Sequence, residues 1–177
     1  GITGRDWVRE TDSDVVELTE LHYSKATARP IRMVLAVAAD ATYTSASDLP
    51  NGVRVHTEYP NLTERFLVER GVNAEVSLSY GATEAKVPEI ADAVVEITET
   101  GRALRAAGLR IIDEILTSYT LLIANKTAYA DPDKRKAMEQ LMVLLTGALD
   151  ARGKVMVKLN VDEPNLQAVI DLLPALK

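Results

Sequence analysis

The residues with the clearest potential for chemistry lie between positions 91 and 109, where an apolar run with two acids meets a Thr-Gly turn. Asp92 and Glu96 lie in that run, Thr100 and Gly101 form the turn, and a helix-like segment follows. Backbone N–H groups at the start of a helix bind phosphate, and an acid just upstream accepts hydrogen bonds from sugar hydroxyls. The pattern therefore predicts a site for a phosphorylated sugar, with an ordinary strand, turn and helix as the alternative.

Side chains around this turn carry suitable donors and charges. Thr98 and Thr100 add hydroxyl groups, and Arg102 and Arg105 add positive charge in the following helix. The helix dipole stabilises an anion at this position by about 0.3–1 kcal/mol. Glu96 and Glu99 would repel a phosphate if they pointed at it. They are therefore better placed to accept hydrogen bonds from sugar hydroxyls or to lie behind a magnesium ion.

Strands that alternate with helices are predicted around this segment, which is typical of an α/β sheet layer. The run 31–38 is apolar and rich in branched residues, as in a strand buried on both faces. Strict alternation predicts another strand near the end of the chain. The predicted strands are 14–18, 31–38, 53–57, 74–78, 93–97, 110–116, 119–124 and 154–161, and the predicted helices are 3–10, 61–70, 102–107, 134–152 and 166–173.

Capping residues predict where these helices begin and end. Thr3 and Asn61, each with an acid three residues later, are expected to cap the first two helices. Gly71 is expected to end the second helix, and Asp131 to cap the longest one. The apolar stripe between Met138 and Leu149 predicts that the longest helix packs on the core.

Composition limits the possible functions. The chain has 177 residues, 47% of them hydrophobic, and its net charge of −6 argues against non-specific binding to nucleic acid. The absence of cysteine excludes disulfides and thiol catalysis, and two histidines are too few for a zinc site. No apolar run approaches the roughly 18 residues of a membrane span, and no signal peptide is recognisable, so we expect a cytoplasmic protein.

Four segments are long enough to carry a family resemblance. They are GITGRDWV at 1–8, VRVHTEYPNLTERFLVERGV at 53–72, GATEAKVPEIADAVVEITETGRALRAAGL at 81–109 and ARGKVMVKLNVDEPNLQAVIDLLPALK at 151–177. In this order they resemble ATP phosphoribosyltransferase in its long form, the first enzyme of histidine biosynthesis. The third segment resembles the family's phosphoribosyl pyrophosphate signature, and the fourth resembles the start of its regulatory domain.

The resemblance implies an α/β fold with a two-lobed catalytic domain, like that of periplasmic binding proteins, and an active site in the cleft. Residues 1–38 and 110–153 would form a partial first lobe and a linking helix. Residues 39–109 would form the second lobe, and residues 154–177 would begin a ferredoxin-like regulatory domain. The family's segment before GITG, with its Lys-Gly-Arg motif, is not in this sequence, so the first lobe is expected to be incomplete.

The implied reaction joins N1 of the ATP adenine to C1 of the ribose of phosphoribosyl pyrophosphate and releases pyrophosphate. Such a reaction needs positioning and electrostatic stabilisation rather than a nucleophilic side chain. Mg2+ would neutralise the pyrophosphate. The resemblance also implies histidine as feedback inhibitor and a homo-oligomer, either dimer or hexamer. The alternative is an inactive fragment that only binds phosphate or nucleotide.

By the same resemblance, Glu96 is expected to bind the ribose hydroxyls. The family often has Thr or Ser at the position of Ala103, so this chain has one hydroxyl donor fewer in its phosphate loop. The residues expected to form that 5′-phosphate loop are Glu99, Thr100, Gly101, Arg102, Ala103 and Leu104.

Further candidates border the expected nucleotide cleft. Glu58 and Tyr59 belong to this group, with an exposed loop before a capped helix as the alternative. Gly81, Thr83 and Glu84 belong to it as well, with a plain capped turn as the alternative. Two arginines near the expected hinge are candidates for phosphate contacts, and a solvated or salt-bridged side chain is the alternative for both: Arg29 and Arg32.

Overall fold

The computed structural model describes residues 1–22 and 30–173. The strands are β1 Ile2–Gly4, β2 Val15–Leu21, β3 Ile31–Ala38, β4 Val53–Thr57, β5 Ala74–Leu78, β6 Ala93–Thr98, β7 Leu109–Ser118 and β8 Thr120–Asn125. The helices are α1 Arg5–Glu10, α2 Pro60–Glu69, α3 Arg102–Ala106, α4 Lys126–Ala130, α5 Pro132–Asp150 and α6 Leu166–Leu172. Short 3-10 turns lie at Ala46–Asp48, Thr83–Lys86 and Glu163–Asn165.

Across the described ranges, the strands form two sheets. β1, β8 and β2 form an antiparallel sheet in that order, and the second sheet has the order β5-β4-β6-β3-β7. β4 runs parallel to both β5 and β6, whereas β3 runs antiparallel to β6 and β7. Parallel neighbours require a crossover connection, and α2 supplies it between β4 and β5. As a result, β5, β4 and β6 all end at the same edge of the sheet.

The strand pairing differs from the expected division of the chain. The resemblance groups 1–38 with 110–153, but β3 and β7 both lie in the larger sheet, where Val34 pairs with Glu96 on one side and with Glu114 on the other. Residues 33–37 of β3 are fully buried, because a wholly apolar strand is stable only between neighbours and under cover on both faces. The smaller sheet is therefore built from strands within residues 2–21 and 120–125.

Each face of the larger sheet has its own core. Leu35 of β3 packs with Phe66 of α2 in one cluster, and Val34 packs with Leu104 of α3 in the other. Burying a leucine side chain contributes about 1.5–3 kcal/mol, so Leu104 fixes the short helix α3 against the sheet. The turn that precedes α3 is thereby held at the end of β6.

The structure tests the predicted caps. The prediction for Thr3 is wrong, because Thr3 belongs to β1 and Gly4 precedes α1 without a side-chain cap. The prediction for Asn61 is also wrong, because the backbone N–H of Asn61 lies inside α2 and donates to the Glu10 carboxylate at 2.9 Å. The cap at Asp131 is confirmed, since its side chain accepts from the backbone at the start of α5.

Replacing Asp131 by Ala is expected to lower the free energy of unfolding by about 1 kcal/mol. Asp131 Oδ1 accepts from the backbone N–H groups of Asp133 at 3.0 Å and Lys134 at 3.2 Å, and Ala leaves both without an acceptor. The Asp131→Asn variant is the matched control, because Asn caps helices as well as Asp does. Thermal unfolding measures both; equal melting temperatures for the Ala and Asn variants would contradict the prediction.

The predicted strand at 154–161 is wrong, since these residues form no regular structure and pair with none of the described strands. Val155, Val157 and Leu159 are exposed, because a strand needs a backbone partner and a covering layer to bury its apolar face. The apolar stripe of α5 is only partly covered, and Leu141 on it is 49% exposed. The expectation of core packing for α5 is therefore met in part, by Met138 among others.

Candidate functional site

The carboxyl ends of the three parallel strands bring the candidate residues together. Thr57 of β4 pairs with Val95 of β6 and with Leu78 of β5, so the residues that follow them are neighbours at one edge. In open α/β sheets this edge is where ligands bind. The residues that follow these three paired positions are Glu58, Ser79 and Glu96.

The carboxylate of Glu96 is under the influence of two other acids at this edge. Burial raises the pKa of Glu96 above its usual range, and the carboxylates of Glu84 and then Glu58 raise it further. A hydrogen bond from the Thr83 side chain opposes this shift. Glu58, Thr83 and Glu84 thus all act on Glu96, and the three acids are called the acidic group below. Gly81, in contrast, is exposed and lies just before the 3-10 turn.

The turn after β6 leads directly into the start of α3. Gly101 adopts a left-handed conformation, with φ of +70°, and precedes the first residue of α3. Its N–H donates to Thr98 Oγ1 at 2.7 Å, and the N–H of Arg102 donates to Thr100 Oγ1 at 3.4 Å. The next two N–H groups, those of Ala103 and Leu104, have no acceptor within the helix itself, as at any helix start.

The two arginines of the turn differ in their surroundings. Arg105 Nη2 donates to the Thr100 carbonyl at 3.1 Å, so the Arg105 side chain is hydrogen-bonded to the backbone of the turn. Arg102 and Ala103 are exposed, whereas Leu104 is buried and anchors α3. Glu99, half-buried, lies between the strand and the turn. A phosphate at the turn would therefore meet Arg102 and backbone N–H groups rather than an additional hydroxyl at position 103.

Tyr59 lies between α1 and the core of the larger sheet. Its ring is 3% exposed, and its hydroxyl donates to Asp6 Oδ2 at 2.9 Å. Burial and then the Asp6 charge raise the pKa of Tyr59 above its usual range. The ring centroid lies 5.0 Å from that of Trp7. The exposed-loop alternative is therefore wrong for Tyr59. Because Tyr59 is held by these contacts, the backbone at the adjacent Glu58 is held as well.

Two buried acids of α1, Asp6 and Glu10, hold other segments in place, and the sequence analysis did not predict these contacts. Asp6 Oδ1 accepts from Ser118 Oγ at 2.6 Å, at the point where the chain passes from β7 to β8. Glu10 accepts from the backbone N–H groups of Asn61 at 2.9 Å and Leu62 at 2.8 Å, so α1 caps α2 across the contact. The available signal is the spacing of four residues between Asp6 and Glu10, which places both acids on one helix face.

Arg32 Nη1 lies 3.3 Å from Glu114 Oε2, so the salt-bridged alternative is confirmed for Arg32. Arg29 lies outside the described residues. In the part of the chain that the structure describes, no group of three His, Cys, Asp or Glu side chains is arranged to hold a metal ion. No helix in that part is long and apolar enough to cross a membrane.

The fold is of the class seen in the lobes of periplasmic binding proteins. The periplasmic aliphatic sulphonate binding protein SsuA from Escherichia coli is similar with a TM-score of 0.55, covering 97% of this chain and 58% of that chain. At 19% identity this likeness concerns the fold alone. The ATP phosphoribosyl transferase (HisG:HisZ) complex from Thermotoga maritima is similar with a TM-score of 0.72 at 26% identity, covering 85% of this chain and 69% of that chain.

Sequence comparison defines the family. The model of the HisG family, ATP phosphoribosyltransferase, matches residues 1–147. This chain belongs to the ATP phosphoribosyltransferase family. All 177 residues align with the ATP phosphoribosyltransferases of Chlorobium chlorochromatii, at 49% identity, and Pelotomaculum thermopropionicum, at 51%. The chain spans 60% of the first relative's length and 61% of the second's.

Proposed function

We propose that this chain carries the activity of its family: transfer of the phosphoribosyl group of phosphoribosyl pyrophosphate to N1 of ATP, with release of pyrophosphate. This is the first step of histidine biosynthesis. The observation that carries the proposal is the placement of the Glu96 carboxylate and the Gly101 turn within five residues of each other, at the end of one buried strand. That spacing suits an acceptor for ribose hydroxyls followed by a cradle for the 5′-phosphate.

Each part of the sugar phosphate has a proposed partner. Glu96 accepts hydrogen bonds from the ribose hydroxyls, and Arg102 pairs with the 5′-phosphate, which also receives the N–H groups of Ala103 and Leu104. Glu99, Thr100 and Gly101 complete the loop that holds these donors in place. Since position 103 has no hydroxyl, the phosphate is bound there by the backbone alone.

The acidic group suits the charge that develops during transfer. C1 of the ribose becomes positive as the bond to pyrophosphate breaks, and fixed negative charge nearby stabilises that state. Glu58, Glu84 and Glu96 supply such charge. The same charge repels pyrophosphate, so we propose that Mg2+ enters as the counter-ion of this substrate; no side chain is assigned to it.

The nucleotide side of the site is proposed at the end of β4 and the following 3-10 turn. Glu58, Gly81, Thr83 and Glu84 would border ATP, and the buried Tyr59 would hold Glu58 in position rather than contact the nucleotide. N1 of the adenine must then be aligned with C1 of the ribose, which is a matter of positioning.

Residues 154–177 are proposed to begin the regulatory domain, with histidine as its ligand in the full-length protein. The exposed apolar side chains of Val155, Val157 and Leu144 favour burial by further protein in a dimer or hexamer. Residues 1–21 and 120–150 would belong to the first catalytic lobe, and residues 31–118 to the second. A cytoplasmic location is proposed together with this biosynthetic role.

The proposed activity is tested by mixing the chain with ATP, phosphoribosyl pyrophosphate and Mg2+ and following the absorbance of the adduct. Calorimetry with phosphoribosyl pyrophosphate is run in parallel. We expect both adduct and binding. Binding without adduct would overturn catalysis by this chain and favour a binding module, and the absence of both would overturn the proposal.

The Glu96→Gln variant is expected to bind phosphoribosyl pyrophosphate at least about tenfold more weakly, because an amide is a poorer acceptor than a carboxylate. The same variant should unfold at a higher temperature than the wild type at pH 7. The raised pKa means that the native state holds this proton more tightly than the unfolded chain does, so stability falls as pH rises through the raised pKa. The gain in melting temperature should therefore shrink towards pH 4.5, the ordinary pKa of the group.

Glu64→Gln, an exposed change on α2, is the control for both measurements. If Glu96→Gln and Glu64→Gln gave the same affinity, the assignment of Glu96 to the ribose would be wrong. If the gain in melting temperature did not depend on pH, the raised pKa would be wrong.

A further inference from the structure

The helix α1 contacts the point where the chain passes from the larger sheet to the smaller one. β7 belongs to the larger sheet and β8 to the smaller, and Tyr119 alone separates these two strands. The backbone N–H of Arg5 donates to the Tyr119 carbonyl at 3.0 Å. The backbone N–H of Asp6 donates to Ser118 Oγ at 3.1 Å, and the Ser118 hydroxyl donates to Asp6 Oδ1 at 2.6 Å. The start of α1 is therefore hydrogen-bonded to the passage itself.

The end of α1 is bound to α2, which packs on the larger sheet. The Glu10 carboxylate accepts from the backbone N–H groups of Asn61 at 2.9 Å and Leu62 at 2.8 Å. Asn61 Nδ2 donates to the Glu10 carbonyl at 3.1 Å, and the Arg65 guanidinium donates to the carbonyl of Arg9. Glu10 is 4% exposed, so water competes little for its carboxylate. A helix that directly follows β1 of the smaller sheet thus ends on a helix of the larger one.

Two attachments at different distances from the passage restrict rotation about it. A connection at the passage alone lets two units turn relative to each other, because a few residues between elements can absorb the change of angle. Asp6 and Glu10 are four residues apart, which is about 6 Å along a helix. Glu10 therefore contacts α2 away from the passage, and its hydrogen bonds must break if the sheets turn.

The attachment lies beside the candidate site. α2 begins at Pro60, two residues after Glu58, and the hydroxyl of the intervening Tyr59 donates to Asp6 at 2.9 Å. Glu58 and Glu96 follow a pair of neighbouring positions on β4 and β6. A turn of one sheet against the other would therefore move α1 relative to the edge that carries these acids.

We infer that α1 is a lock between the two sheets: Asp6 binds it to the passage, and Glu10, bound to the first turn of α2, holds the sheets in one arrangement beside the candidate site. The lock is a property of the fold and does not depend on the proposed function. Its consequence, that phosphoribosyl pyrophosphate binds in the locked arrangement, rests on the proposed function.

The absence of cysteine makes the lock directly testable, because two introduced cysteines are then the only sites for thiol-reactive spin labels. Ser77→Cys is an exposed change on β5 of the larger sheet, and Thr127→Cys is an exposed change on α4, which contacts the smaller sheet. Pulsed electron paramagnetic resonance measures the distance between the two labels. Glu10→Gln places an amide NH2 group against one of the N–H groups of α2. Glu64→Gln, an exposed change on α2, is the matched control.

We expect one narrow distance distribution in the labelled parent protein and in Glu64→Gln. In Glu10→Gln at least one further distance should appear, because loss of a hydrogen bond to a charged group lowers the ratio of locked to unlocked molecules about tenfold or more. Arg65→Met removes the bond to the Arg9 carbonyl from an exposed position of α2 and should broaden the distribution as well.

Thermal unfolding checks that each variant is folded before the distances are measured. If Glu10→Gln and Arg65→Met both gave the distribution of Glu64→Gln, α1 would not lock the sheets. A broad distribution in the labelled parent would overturn the lock as well.

Calorimetry with phosphoribosyl pyrophosphate tests the consequence for the site. When only a fraction of the molecules can bind, the apparent dissociation constant rises by the reciprocal of that fraction. We expect the affinity of Glu10→Gln to fall by the factor that the distances give for the loss of locked molecules. An unchanged affinity beside further distances would overturn the consequence. If the labelled parent bound no phosphoribosyl pyrophosphate, the proposed function would be overturned, whereas the distances would still decide the lock.

Discussion

The Asp6→Ala variant is expected to lose about 3 kcal/mol of unfolding free energy. Asp6 is 6% exposed and accepts hydrogen bonds from Tyr59 at 2.9 Å and Ser118 at 2.6 Å. Removing the carboxylate leaves two buried hydroxyls without their acceptor, and hydrogen bonds to a charged group contribute more than neutral ones. Urea denaturation measures the change.

Glu64→Ala is the matched control, since it also removes an acid but at an exposed position of α2, and should change stability by less than about 0.5 kcal/mol. A double-mutant cycle with Tyr59→Phe isolates the hydrogen bond between Tyr59 and Asp6. If Asp6→Ala were no more destabilising than Glu64→Ala, the hydrogen bonds described for Asp6 would contribute nothing to the native state.

The Gly101→Val variant is expected to lose measurable binding of phosphoribosyl pyrophosphate. A β-branched residue is strained at the φ of +70° that Gly101 adopts. A Cβ atom there would also lie 3.0 Å from Arg105 Nη1 and 3.3 Å from Ile111 Cδ1. The two side-chain ends can shift by a few tenths of an ångström, but the strained φ is relieved only if the backbone of the turn changes, and its N–H groups then no longer point to the proposed phosphate. Calorimetry measures the loss.

Gly71→Val separates this local effect from general strain. Gly71 has a φ of +75° at the end of α2, and a Cβ atom there meets nothing within 4 Å. Both variants therefore have a similar backbone penalty, but only Gly101 lies in the proposed phosphate loop. Equal affinities for Gly101→Val and Gly71→Val would remove the loop from the site.

Local patterns predicted the strands better than the helix starts. The runs 31–38, 53–57 and 74–78 are strands with the predicted bounds, because branched and alternating residues are distinctive over a few positions. The cap of α2 was wrong, since its acceptor, Glu10, lies 51 residues from Asn61 in the sequence. The run 154–161 alternates as a strand does, but alternation does not supply a partner strand.

The candidate site also contains some residues that local sequence patterns predict and others that they do not. Glu96 and the Gly101 turn were recognisable because acid, strand end, glycine and helix follow one another within a few residues. Their roles stay predictions until the variants are measured. Asp6 acts on groups in other segments, and no local spacing predicts its contact with Ser118, 112 residues away. The pairing of β3 with β7 is non-local as well, and no local pattern predicts that the two strands share a sheet.

The pairing of β1 with β8 imposes an order on folding during synthesis. Ile2 pairs with Leu122, so β1 cannot pair until some 120 further residues have been made. The five strands of the larger sheet lie within residues 31–118 and are complete before β8 is made. Since domains fold as units as the chain grows, we expect this sheet to form before the smaller one and to serve as the surface on which β1 and α1 later pack.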